Sequence, residues 1–271
     1  MNRIVVVGAG YVGSISAALL AATGAEVWAA RRTRVTPPLH THALCIDVAD
    51  PNPPLDWPTG ITHVMYAVAP GGGNEDAYRI GYHDGLRNIA SFCDPKARVV
   101  LLSSTGVYGQ EGGEWVTEAS PRTGTRPNIQ WLKRAEDHLL TLPNSCVLRL
   151  GGIYGPGRTR MIQNAVSLTP DIHAIYTSRI HQFDAAAASV HCMLGASVPR
   201  ELLGVDESPA LDEEVVAYLR DRLGLPALRP TTKSPSGKRI DSAALRASGF
   251  QFRYPSFREG YRELLDSAIS R

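Results

Sequence analysis

Ile4-Val5-Val6-Val7-Gly8-Ala9-Gly10-Tyr11-Val12-Gly13 is the stretch from which the rest of the chain is read. Four β-branched residues in a row have the pattern of a strand buried on both faces. The glycines after them are spaced G-x-G-x-x-G, and helix-forming residues run from 12 to 22 before Thr23-Gly24 supplies a C-cap. In that strand–turn–helix setting each glycine has a task. Gly8 permits the tight turn, Gly10 removes the Cβ that would block a pyrophosphate, and Gly13 lets helix and strand pack closely. Tyr11 and Val12 complete the loop, where a helix N-terminus offers free N–H groups and the positive end of its dipole. The context favours a bound dinucleotide over a ligand-free turn.

The end of the second strand, 27–30, bears on which dinucleotide. NAD sites of this kind place an acid about 20 residues beyond the loop to accept from the ribose 2′-OH. Here the strand runs into Arg31-Arg32, with no acid. A carboxylate would repel a 2′-phosphate, whereas arginine binds one through forked, charge-assisted hydrogen bonds. Arg31 and Arg32 are therefore read as clamps and NADP as the cofactor; two merely solvated arginines would leave the choice open. Asp47-Val48, closing a third strand at 43–47, is a candidate for the adenine edge, although an Asp at a loop start also serves as a cap.

Further strands are expected at 63–68, 98–103 and 146–150, with helices at 74–93 and 129–142 and a proline-rich loop at 51–58. Alternating strands and helices predict an α/β chain with a parallel sheet. Beyond Gly151 the alternation loosens. Helices are expected at 160–168, at 210–223 with Ser208 as cap and Pro209 in the first turn, and at 256–269 with a serine start. The 271 residues, 44% hydrophobic and with a net charge of +2, exclude a disordered chain and give no sign of a nucleic-acid or membrane-surface partner. No apolar run approaches the ~18 residues of a membrane span. The first ten residues break at glycine, unlike a signal peptide. Cys45, Cys93, Cys146 and Cys192 lack metal-ligand spacing. A soluble cytoplasmic protein with a small-molecule substrate and no metal is expected.

Linked motifs carry a resemblance. Gly8–Gly13 is followed by Ser103-Ser104-Thr105-Gly106-Val107-Tyr108-Gly109, then by Arg149-Leu150-Gly151-Gly152-Ile153-Tyr154-Gly155-Pro156-Gly157-Arg158. Arg179-Ile180-His181 with Asp184-Ala185, and the tail from Gly249 to Tyr261, complete the set. Over nearly its whole length the chain resembles an atypical member of the extended short-chain dehydrogenase/reductase superfamily, in its NAD(P)-dependent epimerase/dehydratase branch. That implies a Rossmann-type doubly wound parallel sheet with a smaller C-terminal α/β substrate-binding portion. The division would be 1–158, with a re-entrant segment near 179–198, and mainly 159–271. The resemblance also implies cofactor contacts at Ala67, Ser103, Gly152 and Ile153, and a homodimer through the helices at 74–93 and 129–142.

The same resemblance implies hydride chemistry, with a serine after the fifth strand and a Tyr-x-x-x-Lys pair on the next helix. Ser104 stands at the serine position, though a strand-end serine also satisfies backbone groups. No tyrosine occurs between Tyr108 and Tyr154. Aligned on Lys133, the tyrosine position holds Ile129; aligned on Glu136, the pair becomes Asn128 and Leu132. The dyad is lacking in either register. Tyr108, Lys133, Tyr154 and His181 are the remaining proton-carrying candidates, unless the substrate is an iminium that brings its own proton. The readings are an NADP(H)-dependent oxidoreductase, an epimerase/dehydratase-like enzyme, or a non-catalytic NADP(H)-binding sensor. Arg158 or Arg160 could grip a substrate anion, Gly71-Gly72-Gly73 could flex over the cofactor, and Trp131 could wall the pocket.

Overall fold

The computed structural model describes residues 1–71, 74–167, 169–229 and 234–269. Ile4, Val5, Val6 and Val7 are fully excluded from solvent. Their strand, β1 (Arg3–Val7), is followed by α1 (Gly13–Ala22), β2 (Glu26–Arg31), β3 (His42–Cys45) and β4 (His63–Tyr66). Next come β5 (Arg98–Ser104), β6 (Gly112–Val116), α4 (Pro127–Leu140, after two short helices described below) and β7 (Ser145–Leu150). Seven strands form the main sheet in the order β11-β7-β5-β4-β1-β2-β3, where β11 is Glu201–Gly204, and every pairing is parallel. Val5 and Val7 join one core cluster with Leu86, Ile89, Leu132 and Leu139, whereas Ile4 and Val6 join another with Ala17, Leu20, Ala185 and Cys192. Alternate side chains thus meet helices on opposite faces, which is why the strand sequence is apolar throughout.

The helix expected at 74–93 is built in three parts: α2 (Glu75–Tyr78), a π-helical turn Arg79–Asp84, and α3 (Gly85–Ser91). Asn74 caps it by accepting the Ala77 N–H at 2.8 Å. The irregularity has a visible cause. The Tyr66 hydroxyl donates to the Gly81 carbonyl at 2.5 Å, drawing on an acceptor of the helix ladder. A Cβ on Gly85 would lie 2.4 Å from that same hydroxyl oxygen.

The later part of the chain contains β8 (Gly152–Tyr154), α5 (Arg160–Val166), β9 (Ile175–Thr177), β10 (Arg179–His181) and α6 (Gln182–Leu194). After β11 come β12 (Ala210–Leu211), α7 (Asp212–Arg222), β13 (Ser236–Ile240), α8 (Ala243–Ala247) and α9 (Phe257–Ile269). β8 and β10 form a parallel pair, and β12-β9-β13-β6 form a separate four-stranded sheet. Ser208 does not cap a helix at 210. Ala210–Leu211 is a strand, and the helix starts at Asp212 with Glu214 accepting the Leu211 N–H at 2.9 Å. The serine start of α9 has the expected geometry: Ser256 accepts from the Arg258 N–H at 3.1 Å, and Glu259 accepts the Ser256 N–H at 2.9 Å.

Beneath the C-terminal ends of β5 and β7 lies a fully buried ion pair. Arg149 and Glu136 are both 0% exposed. Arg149 Nε donates to both Glu136 oxygens at 3.1 Å and Nη2 to Oε2 at 2.9 Å, while Nη1 donates to the Tyr108 hydroxyl at 2.9 Å. Ser103 donates its hydroxyl to Glu136, and Arg122 adds a second guanidinium at 2.9 Å. Removing Arg149 would leave the buried Glu136 carboxylate with Arg122 as its remaining counter-ion, and breaking a buried pair of this kind costs about 3–5 kcal/mol. Arg149→Leu should therefore lower the urea midpoint sharply, and Arg149→Leu with Glu136→Leu should recover part of the loss.

Candidate functional site

At the end of β1 the chain turns through Gly8 with φ +90°, against the strand exit of β4; a Cβ there would lie 2.6 Å from the Ala67 carbonyl carbon. The Gly8 and Ala9 N–H groups both donate to Ala30 O, at 3.0 and 3.1 Å, tying the loop to the end of β2. A Cβ on Gly13 would come 2.4 Å from Gly8 O. Packing thus explains two of the three glycines. It does not explain Gly10, whose absent Cβ would find no protein atom nearer than 3.9 Å. α1 starts without a capping side chain, since its N-cap is Val12. Within its first turn the Ser14 N–H donates to Gly10 O and the Ser16 N–H to Val12 O, both at 3.0 Å, so any orphan donors of this helix end are those of the loop and of Gly13.

This loop is one wall of a cleft of about 670 Å³ at the C-terminal ends of β1, β2, β4, β5 and β7. That volume is in the range of small-molecule sites. Gly8, Gly10, Tyr11, Val12, Arg31, Arg32, Asp47, Val48, Ala67, Ser103, Ser104 and Ile153 all line it, as do Ala69, Pro70, Gly71 and Arg158. Arg31 and Arg32 are exposed and make no ion pair with a described carboxylate. Asp47 accepts the Ala49 N–H at 3.0 Å, an Asx turn that uses one of its oxygens. Ser104 accepts the Gly106 N–H at 3.1 Å, which leaves its own hydroxyl proton for a ligand. Tyr11 is held above its ordinary pKa by burial, against the opposing charge of Arg158.

Several residues expected at the site are elsewhere. Tyr108 is 1% exposed, its hydroxyl accepts from Arg149, and it does not line the cleft. Lys133 is half-buried on α4 and does not line it either, while the adjacent Leu132 points into the core. Ser103 reaches the wall, yet its hydroxyl is turned to Glu136. Gly13 is packed under the loop, and Gly152 pairs with Arg179 in the small sheet, so its neighbour Gly151 takes the cleft position. Tyr154 and His181 form an aromatic cluster with Tyr254 and Tyr261 away from the cleft. Burial lowers the His181 pKa to about 4, leaving it neutral, and raises that of Tyr154. Trp131 donates its indole N–H to Glu75 at 2.9 Å and lies outside the lining. Gly72 and Gly73 are outside the described residues.

One wall had no counterpart in the sequence reading: Ala77, Ile80, Gly81 and Tyr82 line the cleft from α2 and the π-helical turn. The available signal was a pair of glycines, Gly81 and Gly85, inside an otherwise helical stretch. Among the described residues, no group of three or more His, Cys, Asp or Glu could hold a metal ion, and no helix is long and apolar enough to cross a membrane.

A protein assigned as an NAD-dependent epimerase/dehydratase from Methylobacillus flagellatus superimposes with a TM-score of 0.83, is 32% identical, and matches over 100% of this chain and 99% of its own. The chain belongs to the extended short-chain dehydrogenase/reductase superfamily. A human epimerase family protein, SDR39U1, solved with NADPH, shares the fold at 19% identity and a TM-score of 0.76, over 97% of this chain and 98% of that one. Among curated proteins, YeeZ of Escherichia coli K12 is 32% identical over 166 residues, or 58% of this chain. The match spans about three fifths of YeeZ's length (59%). No protein-family model matches the sequence.

The glycines of this superfamily member separate fold from ligand. Gly10→Ala should melt close to the native protein, because its methyl has open space. Gly13→Ala forces a carbon against the Gly8 carbonyl and should lower Tm by several degrees, as about 1–3 kcal/mol of overpacking would in a chain of this size. Circular-dichroism melts of the two variants check the contrast.

Proposed function

We propose that the protein is an NADP(H)-dependent oxidoreductase or epimerase/dehydratase-like enzyme for a small metabolite, working without a Tyr-x-x-x-Lys dyad. One observation carries the cofactor reading: an uncapped helix N-terminus, a Gly10 whose missing Cβ faces empty space, and two guanidiniums without carboxylate partners share one cleft. The α1 N-terminus would take the pyrophosphate. Arg31 and Arg32 would take the 2′-phosphate, with Val48 and Ala67 beside the adenine. When bound, the nicotinamide supplies hydride-transfer chemistry. The division into a nucleotide-binding part, 1–158 with a return near 179–198, and a substrate-binding part, mainly 159–271, belongs to the same proposal.

The chain's own residues then do limited work. Ser104 orients a substrate oxygen or nitrogen with its free O–H. On α4, Ile129 is 4% exposed and packs near Gly106 and Gly124, Leu132 is fully buried, and Asn128 accepts the Ile129 N–H at 3.0 Å. These contacts support a site that offers orientation rather than a strong acid or base. Such a site suits a substrate whose reacting atom already carries its proton, as an iminium does.

Fluorescence titration tests the cofactor. Arg31→Ala with Arg32→Ala should weaken NADPH binding by about tenfold or more while leaving NADH nearly unchanged. An unaltered preference between the two nucleotides would refute the clamp. A panel of imines and ketones tests the chemistry: imines should turn over and ketones should not. Saturable NADPH binding with no turnover across the panel would favour the sensor reading.

A further inference from the structure

We propose that Cys146 and Cys192 are a peroxide-oxidisable thiol pair that closes into a reversible disulfide between β7 and α6. The pair is separate from the cleft, which neither residue lines.

Packing of a helix on the sheet builds the pair. Along β7, Cys146, Leu148 and Leu150 face one core cluster, while Val147 between them faces the other. α6 gives Ala185, Ala188 and Cys192 to the same cluster as Cys146, a spacing that puts the three on one helix face. Alanines on that face let the helix approach the strand closely, and the two sulfurs meet: the Cys192 S–H donates to Cys146 Sγ. Both cysteines are 0% exposed. Cys146 in turn donates to the carbonyl oxygen of Pro199 at 3.4 Å, and Pro199 is exposed. The thiol thus touches a residue of the molecular surface.

A guanidinium beside the pair is incompletely answered. Arg98 Nε donates to Cys192 O at 2.7 Å and Nη1 to Asn144 Oδ1 at 3.1 Å, but its buried Nη2 has no partner. An ionised thiol is the kind of anion this guanidinium lacks. The bond from Cys192, together with the charges of Arg98 and Arg200, holds the Cys146 thiol below its ordinary pKa against burial and Glu201. Cys192 is held well above its own, because it donates that bond and is buried. The asymmetry assigns roles, Cys146 as the attacking thiolate and Cys192 as the resolving thiol.

The oxidant is hydrogen peroxide, small and uncharged as a site without solvent exposure requires. Cys146 sulfur attacks one peroxide oxygen, the O–O bond breaks, and hydroxide leaves a sulfenic acid behind. Cys192 sulfur then attacks the sulfenic sulfur and expels its hydroxyl. The two thiol protons end on the two departing hydroxides, so a pair of thiols is oxidised and one peroxide is reduced to two waters.

Peptide mapping of the full chain tests the pair. Native protein is treated with hydrogen peroxide, unfolded directly into iodoacetamide without reductant, and digested with trypsin. The expected product joins the tryptic peptides 135–149 and 180–200 with the loss of two hydrogens, in most of the molecules. Dithiothreitol should abolish it, and neither Cys45 nor Cys93 should enter it. In Cys192→Ser, dimedone should instead trap Cys146 as its sulfenic acid. Recovery of both thiols fully alkylated would overturn the proposal. Oxidation of Cys146 beyond sulfenic acid with no cross-link would overturn it too, as would a cross-link formed only when urea precedes the peroxide. The map is read on the native chain, so it decides even where Cys192→Ser does not fold.

Discussion

A side-chain carbon at Gly8 would have to occupy space already held by the Ala67 backbone, 2.6 Å away. Because it is absent, β1 and β4 can release their chains side by side at the same edge of the sheet. α1 then begins directly over that edge, with Gly13 closing against Gly8 and the Ala30 carbonyl holding the turn from the β2 side. A doubly wound sheet leaves its crevice outside the carboxyl ends of the strands. Here the crevice acquires its shape from backbone groups, before any side chain contributes.

Charge is distributed in two ways around that edge. Below it, Arg149, Glu136, Arg122, Ser103 and Tyr108 answer one another inside the core and tie α4, β5 and β7 together. At the rim, Arg31, Arg32 and Arg158 have no carboxylate partner among the described residues. The first arrangement fixes geometry, since a buried charge tolerates only a satisfied network. The second leaves cations ready for a ligand in place of an internal partner.

What was legible in the sequence was local. The run Ile4 to Val7, the glycines behind it and Arg31-Arg32 declare themselves within a few residues of one another, and the strands through β5 and β7 follow from apolar runs. The small strands β8, β9, β10, β12 and β13 are two to five residues long and are stabilised by distant partners, as Glu114 of β6 is by Lys238 of β13. β11 was hidden because only Leu202 and Leu203 carry its apolar signal, although it completes the main sheet. The same logic governs the site. Tyr108 follows β5 in the expected place, but its direction is set by Arg149, 41 residues later. Ser103 is turned by Glu136, 33 residues on. No pattern around either residue reports such a partner.

The hydroxyl of Tyr66 reaches into the helix opposite and takes hold of the Gly81 carbonyl. One surplus residue in a helical turn advances the phase of everything before it by about 100°. The faces that Ala77 and Ile80 present to the groove thus depend on a turn gripped by a strand residue buried in the core behind it. A phenylalanine at 66 would remove that grip on a carbonyl at the centre of the turn.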